Sequence, residues 1–305
     1  MIALSHYLSI MNQSNNLKLF FVINPGSGNN TTDWTKVIID YFAPLSHTIE
    51  LYQLSKNCNV QIIKDRVKLF SPQQIVAVGG DGTVKLVAEC LTQQNMTLGI
   101  LPAGSANGLA RELGISNDPT KALDTLVEGH SKKIHAINVN GHLCIHLSDI
   151  GLNAYAMKRF ESQRVRGMWG YLMASLKVLW QNPLLEIEMQ IDRKAIQIKA
   201  EMIVIANATK YGSGAVINPI GQLDDELFEV IAIKKISIRE ILSMFFSRAS
   251  YDPNKTEVFQ TEALSMRSVK RVHFQVDGEY LGKVKEVKAV IIPDALEVMV
   301  PAVDE

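Results

Sequence analysis

The chain is short of cysteine, of net charge and of long apolar runs, and each shortage closes off a class of protein. Its three cysteines, Cys58, Cys90 and Cys144, are isolated, and no two share a CxxC spacing. A zinc site or a disulfide framework is therefore not expected, and the thiols read as small core residues in a reducing compartment. Lys and Arg together number 31, as do Asp and Glu, so the formal charge is zero. Such a chain does not bind nucleic acid or anionic membrane mainly by bulk electrostatics, although a local basic patch is compatible with that balance. The longest apolar stretch, Met168 to Trp180, is too short to span a bilayer and contains Lys177. The first ten residues carry neither a basic start nor a small-residue cleavage site. Residues 1–16, with Met11 ahead of the polar run Asn12 to Asn16, read as a loose leader upstream of the folded chain. The protein is expected in the cytosol.

What is present is an ordinary globular composition, 47% hydrophobic and 20% charged over 305 residues. That is two domains' worth of chain at ~150 residues each, long enough to bury a core without disulfide or metal. From residue 17 to 129, short apolar runs alternate with helical stretches, the pattern of a parallel α/β layer. Strands are expected at Leu17–Ile23, His47–Leu51, Gln74–Val78 and Leu98–Leu101, with helices at Asp33–Phe42, Val60–Leu69, Val84–Leu91, from Asn107 to Leu113 and from Pro119 to Gly129. Beyond Gly129 the texture turns to period-two alternation. Strands are expected at Lys133–Val139, Cys144–Ile150, Leu184–Ile191, Ala195–Ala206, Leu227–Ile233, Val269–Val276, Val284–Ile292 and Ala295–Val300. Asn140-Gly141 and Asp192-Arg193 are hairpin signals, and two helical stretches, Asn153–Gln181 and Ser237–Ser250, interrupt the strands. The fold class is α/β: a Rossmann-like parallel-sheet domain at 17–132, then a β-rich, sandwich-like domain at 133–305.

Three strands of the first domain end in glycine-rich turns: Asn24-Pro25-Gly26-Ser27-Gly28, Gly79-Gly80-Asp81-Gly82-Thr83 and Pro102-Ala103-Gly104-Ser105. In an open parallel sheet, ligands bind beyond the carboxyl ends of the strands, so these turns converge on one crevice. Glycines let backbone N–H groups approach a phosphate, Thr83 and Ser105 add hydroxyls, and the helix after each turn points its positive end at the anion. Asp81 stands apart, because a carboxylate repels phosphate. It suits magnesium handling or acceptance of a proton from an attacking hydroxyl, the plainer alternative being a turn-stabilising aspartate.

Asn24-Pro-x-Ser-Gly28, Gly79-Gly-Asp-Gly-Thr83, Pro102-x-Gly-Ser-x-Asn107 and the late Asp277-Gly278-Glu279 together resemble the diacylglycerol kinase catalytic family, which includes soluble bacterial lipid kinases and the sphingosine kinases. The resemblance runs from about residue 17 to residue 300 in the family's motif order. It implies an α/β nucleotide domain before a β-rich lipid-substrate domain, and ATP- and Mg2+-dependent phosphorylation of a lipid hydroxyl, either diacylglycerol or a sphingoid-base-like alcohol. By this resemblance Asn24, Pro25, Ser27, Gly28, Gly79, Gly80, Gly82, Thr83 and Gly104 hold the ATP phosphates, with Ser105 and Asn107 lining the site. Asp81 and Glu279 are the candidate bases facing one another across the interdomain cleft, with Glu279 preferred; an ordinary hairpin with exposed acids is the alternative for Asp277-Gly278. Arg164 and Arg166 are implied phosphate contacts, as arginine stays charged and donates paired hydrogen bonds; a solvated basic face shared with Lys158 and Arg159 is the plain alternative. Gln222, Asp225 and Leu227 resemble a structural magnesium site, the aspartate joined by two backbone carbonyls.

Four departures accompany the resemblance. Lys85 and Leu86 stand where the family often has Asn-Glu, Gly108 replaces an acid near magnesium, and Glu226 replaces a glycine. Gly104-Ser105 and Gly108 lean toward the sphingosine-type branch. Lys85 reads either as a phosphate or headgroup contact or as a surface lysine. Leu242, Met244, Phe245 and Phe246 are core or a rim meeting membrane, and His142 and His146 read as turn and strand residues. The implied partners are a lipid alcohol and, transiently, the membrane surface, with no nucleic acid; a homodimer stays open. The other readings are a kinase of a soluble alcohol resembling NAD kinase and a catalytically silent nucleotide- or lipid-binding member.

Overall fold

The computed structural model describes residues 16–28, 32–55, 60–91, 96–161, 167–179, 184–209, 216–240 and 252–302. Most of the leader, Cys58, Arg164, Arg166 and the cluster Leu242 to Phe246 lie outside the described residues.

The first half alternates strand and helix: β1 (Lys18–Ile23), α1 (Trp34–Phe42), β2 (Thr48–Gln53), α2 (Val60–Phe70), β3 (Gln74–Gly79), α3 (Asp81–Leu91), β4 (Thr97–Pro102), α4 (Gly108–Glu112) and α5 (Pro119–Glu128). β3 is buried along its whole length, as a strand covered by helices on both faces must be. Asp33 caps α1 by accepting from Lys36 N at 3.1 Å, and Asp118 caps α5 by accepting from Lys121 N at 3.0 Å, with Pro119 as its first residue. The strands pair in parallel in the order β4-β3-β1-β2, so the order reverses between β1 and β3. The crevice at that switch point is where a doubly wound sheet takes its ligand.

The second half is β5 (His130–Val139), β6 (His142–Cys144), β7 (Leu147–Gly151), α6 (Leu152–Glu161), α7 (Gly167–Leu179), β8 (Leu185–Ile191), β9 (Lys194–Ala200), β10 (Met202–Ala206), β11 (Phe228–Ile233), β12 (Thr256–Thr261), β13 (Ala263–Val276) and β14 (Glu279–Val300). These strands pair antiparallel with one another, and β8 buries every second residue. The two hairpin signals hold: Asn140 and Gly141 have φ of 52° and 86°, Asp192 and Arg193 of 47° and 66°, as two-residue primed turns demand. No helix among the described residues is long and apolar enough to cross a membrane.

Several element boundaries differ from the sequence reading. The third helix begins at Asp81, not Val84, because Gly80 O already accepts from Thr83 N and Val84 N. The run Cys144–Ile150 divides into β6 and β7, and Ala195–Ala206 divides at Glu201, where the chain leaves β8 and crosses to β7. The expected strands Val284–Ile292 and Ala295–Val300 are one 22-residue strand, because β5 pairs with both halves across a bulge at 292–296. Its final residues also pair in parallel with β4, Glu297 opposite Thr97 and Val298 opposite Leu98. The last strand thus joins both lobes into a single fourteen-stranded sheet, and Leu296 and Val298 lie in the same core as Phe20, Val76 and Ile100. A second core, around Ile187, Met189, Phe274 and Val287, fills the β-rich lobe; a third packs α6 and α7 on β10 and β11.

Candidate active site

The three glycine turns meet. Asn24 Nδ2 donates to Thr83 Oγ1 at 3.1 Å, and Ala103 N donates to Gly79 O at 3.0 Å. A side chain on Gly28 would stand 2.4 Å from Ala103 O, and one on Gly104 would stand 2.4 Å from Gly80 Cα. These approaches exist only because the residues are glycine. Asn107, at φ 50°, closes the third turn: its Oδ1 accepts from Gly104 N at 2.8 Å and its Nδ2 donates to Gly104 O at 2.9 Å. A cleft of about 630 Å³ opens between the first and third turns, lined by Asn24, Pro25, Ser27, Gly28, Ser105 and Asn107 among others. A smaller hollow of about 280 Å³ adjoins it, with Gly80, Gly82, Thr83 and Leu86 completing its wall. Gly79 lies beneath, packed against the Thr83 side chain. The N-terminus of α3 gives this wall a positive end.

Asp81 is the first residue of α3, and its Oδ1 accepts from Leu109 N at 3.2 Å, linking the second turn to α4. A side chain on Gly108 would come within 2.6 Å of His146 Cε1 and 3.5 Å of Asp81 Oδ1. His146 therefore occupies the space where a residue-108 acid would project, and this accounts for the glycine. Its ring is buried, and Nε2 has no hydrogen-bond partner among the described residues. The ring packs against Gly108 across the two lobes although the sequence reading left it as an ordinary strand residue; the bare Gly108 opposite was the available signal.

The hairpin at 277–278 delivers the second lobe to this place. Asp277 and Gly278 have φ of 49° and 83°. The Asp277 carboxylate accepts from the backbone N–H groups of Ile145, His146 and Leu147 at 3.0, 2.9 and 3.1 Å, so it is the anchor of the hairpin. Beside it the Cys144 thiol is pushed well up by burial and by the Asp277 charge. Glu279 is the exposed acid of the hairpin, its side chain 64% exposed. It meets Lys85 rather than Asp81: Lys85 Nζ lies 3.3 Å from Glu279 Oε2 and 3.4 Å from Val276 O. Lys85 is buried, not the surface lysine that was one of its two sequence readings.

Behind the hairpin, Tyr280 donates to or accepts from His273 Nδ1 at 2.8 Å, and His273 stacks on Tyr155 at 4.3 Å. Burial and then the nearby Lys283, Lys158 and Arg159 charges hold His273 down at about 4. Asp149, wholly buried, holds Asn153, Ala154 N and Gln275, a network the sequence did not disclose.

Gln222, Asp225 and Leu227 lie elsewhere, on the segment entering β11. Asp225 Oδ1 accepts from Leu227 N at 3.2 Å, and Asp224 pairs with Lys132 at 2.8 Å. Glu226 adopts φ 60°, so the loop keeps the left-handed bend that a glycine would take without strain. Close by, burial raises the Glu229 carboxyl against the opposing bonds from Gln260 and Asn218.

Residues 18–139 match the family model of the diacylglycerol kinase catalytic domain, and residues 148–300 match that of the YegS C-terminal NAD kinase beta sandwich-like domain. Two curated relatives, both diacylglycerol kinases of Staphylococcus aureus, are 26% identical over 216 residues, which is 68% of this chain and 69% of theirs. A solved diacylglycerol kinase structure from Bacillus anthracis is similar in fold, with a TM-score of 0.70 over 94% of this chain and 98% of that one at 16% identity. The parallel sheet with its meeting glycine turns is the part that the first model covers, and the antiparallel lobe bearing Glu279 is the part that the second covers. The chain belongs to the diacylglycerol kinase catalytic-domain family, a family of kinases, in the form that carries a YegS-type second domain.

Proposed function

We propose that this protein is an ATP-dependent lipid kinase, moving the γ-phosphoryl group of ATP to the hydroxyl of a diacylglycerol or sphingoid-base-like acceptor. One observation carries the reading: three glycine turns meet at a phosphate-sized hollow, and an exposed carboxylate from the other lobe, Glu279, pairs with Lys85 on the helix that walls it. In this reading the backbone N–H groups of Gly28, Gly80 and Gly82, with Asn24, Ser27, Thr83 and Ser105, hold the triphosphate, while Gly104, its N–H taken by Asn107 Oδ1, lets the turns approach. Glu279 accepts the proton of the attacking hydroxyl, and Asp81 is fixed by Leu109 N–H at the positive end of α3. The second lobe supplies the lipid surface, and a lipid acceptor brings the protein to a membrane for each turnover. Arg164 and Arg166 remain phosphate contacts by resemblance alone.

Magnesium suits the donor set. Among the described residues no cluster of three or more His, Cys, Asp or Glu is placed to hold a metal by side chains alone. One carboxylate, Asp81, beside a phosphate site is the arrangement magnesium takes when it shares its ligands with a nucleotide. Held there by Asp81 and the nucleotide, it would neutralise phosphate charge. In the same reading Asp225, with the carbonyls of Gln222 and Leu227, is a second, oxygen-only site, and Glu226 at φ 60° keeps the bend that a glycine would take there.

The match of the second lobe to an NAD kinase beta sandwich-like domain favours one further reading, a soluble alcohol as acceptor. A single assay separates the two: labelled ATP and magnesium with vesicles containing diacylglycerol, a sphingoid base or neither, and separately with NAD. Labelled lipid is the expected product. Labelled NAD alone would replace the reading, and no transfer to any acceptor by folded protein would remove it.

A further inference from the structure

Lys85 lies four residues after Asp81 on α3, so both project from the same face, one turn apart. The residue is 8% exposed. An ammonium taken out of water needs a counter-charge and acceptors for three protons. Among the described residues it has two acceptors, Glu279 Oε2 at 3.3 Å and Val276 O at 3.4 Å, both long contacts. The neighbouring Asp277 carboxylate is occupied by three backbone N–H groups and supplies no direct bond. Glu279 is thus the one carboxylate among the described residues that Lys85 touches, and it is the same carboxylate proposed to take the acceptor proton.

We propose that Lys85 is a second catalytic residue, whose ammonium neutralises Glu279 in the resting cleft and passes to the transferring phosphoryl oxygens as Glu279 becomes protonated. The inference rests on the phosphotransferase reading above. In the transfer step the acceptor O–H bond breaks and its proton goes to Glu279. A bond forms between the acceptor oxygen and the γ-phosphorus, and the bond from that phosphorus to the ADP oxygen breaks. Glu279 is then neutral. The buried Lys85 ammonium has then lost its counter-charge while a phosphoryl group carrying negative charge has arrived. Moving the ammonium's attraction from one anion to the other avoids leaving a buried cation unpaired, which is the costly state. The contact becomes stronger in the transition state than in the resting site, and that is the condition for speeding the chemical step.

Two substitutions test this against a merely structural tie between the lobes. Lys85→Gln keeps a donor for Glu279 and Val276 but removes the charge; Lys85→Arg keeps the charge. Melting curves check that both fold, and steady-state kinetics with ATP and the lipid acceptor give kcat and KM separately. Lys85→Gln should lower kcat roughly a hundredfold and change KM for ATP by less than about threefold. Lys85→Arg should stay within about tenfold of the parent kcat. A Lys85→Gln enzyme within about threefold of the parent kcat, or a Lys85→Arg enzyme as slow as Lys85→Gln, overturns the role of Lys85 while leaving the kinase reading standing. A parent enzyme that transfers no phosphoryl group to any acceptor overturns both.

Discussion

A single methyl group is enough to challenge the meeting of the glycine turns. In Gly104→Ala the new Cβ would stand 2.4 Å from Gly80 Cα and 2.8 Å from Asn107 Oδ1. The first neighbour is backbone and cannot rotate aside, so the turns must separate. Overpacking of this kind costs about 1–3 kcal/mol, and the nucleotide site should suffer more than the fold. Thermal melts and an ATP titration of the variant measure the two effects; unchanged ATP affinity would remove this turn from the site. His273 makes a second residue-scale case. Its folded value of about 4 lies below its ordinary 6.5, so the fold prefers the neutral ring. The stability it contributes is complete above pH 6.5 and is lost as pH falls from 6.5 toward about 4. His273→Phe keeps a ring against Tyr155 but binds no proton. Its melting temperature should fall less than that of the parent across that window, and parallel curves would show that another group governs the acid limb.

At the scale of elements, the loop leading into β11 tests whether backbone shape outlives a change of residue. Glu226 holds φ 60° without being glycine. A branched side chain fits that region worse, so Glu226→Val should destabilise by about 1–2 kcal/mol, whereas Glu226→Gly should be neutral or mildly stabilising. Melting curves for the pair decide it, and equal behaviour would mean that the bend carries no strain. The same scale shows what the sequence could disclose. Strands with continuous burial or clean alternation, such as β3 and β8, announce themselves, and so do the glycine turns, because both are local patterns. The edge strand β12, with only Thr261 fully buried, has no strong pattern of its own. Pro293-Asp294 reads as a break, yet β5 pairs on both sides of it and carries β14 through. Lys85 escaped for a related reason: its partner lies 194 residues away, and no local pattern records so distant a pairing. His146 was hidden likewise, since its place is defined by Gly108 on another lobe.

At the scale of the whole molecule, the reading of two domains divided near residue 132 meets a sheet that runs through both. β14 borders β4 on one side and β5 and β13 elsewhere along its length. Residues 17–132 expressed alone would therefore leave β4 as an exposed, apolar strand edge, which favours association between chains. Such a fragment should aggregate, while the full chain should show one calorimetric transition rather than two. A monomeric, cooperatively folding fragment would mean that β4 needs no neighbour. The position of that closing strand also sets an order of events during synthesis. The first lobe is translated early but gains its bordering strand only when residues 295–300 leave the ribosome. Until then its nascent edge lies open, and a chaperone that shields it has to stay bound through the synthesis of the whole second lobe.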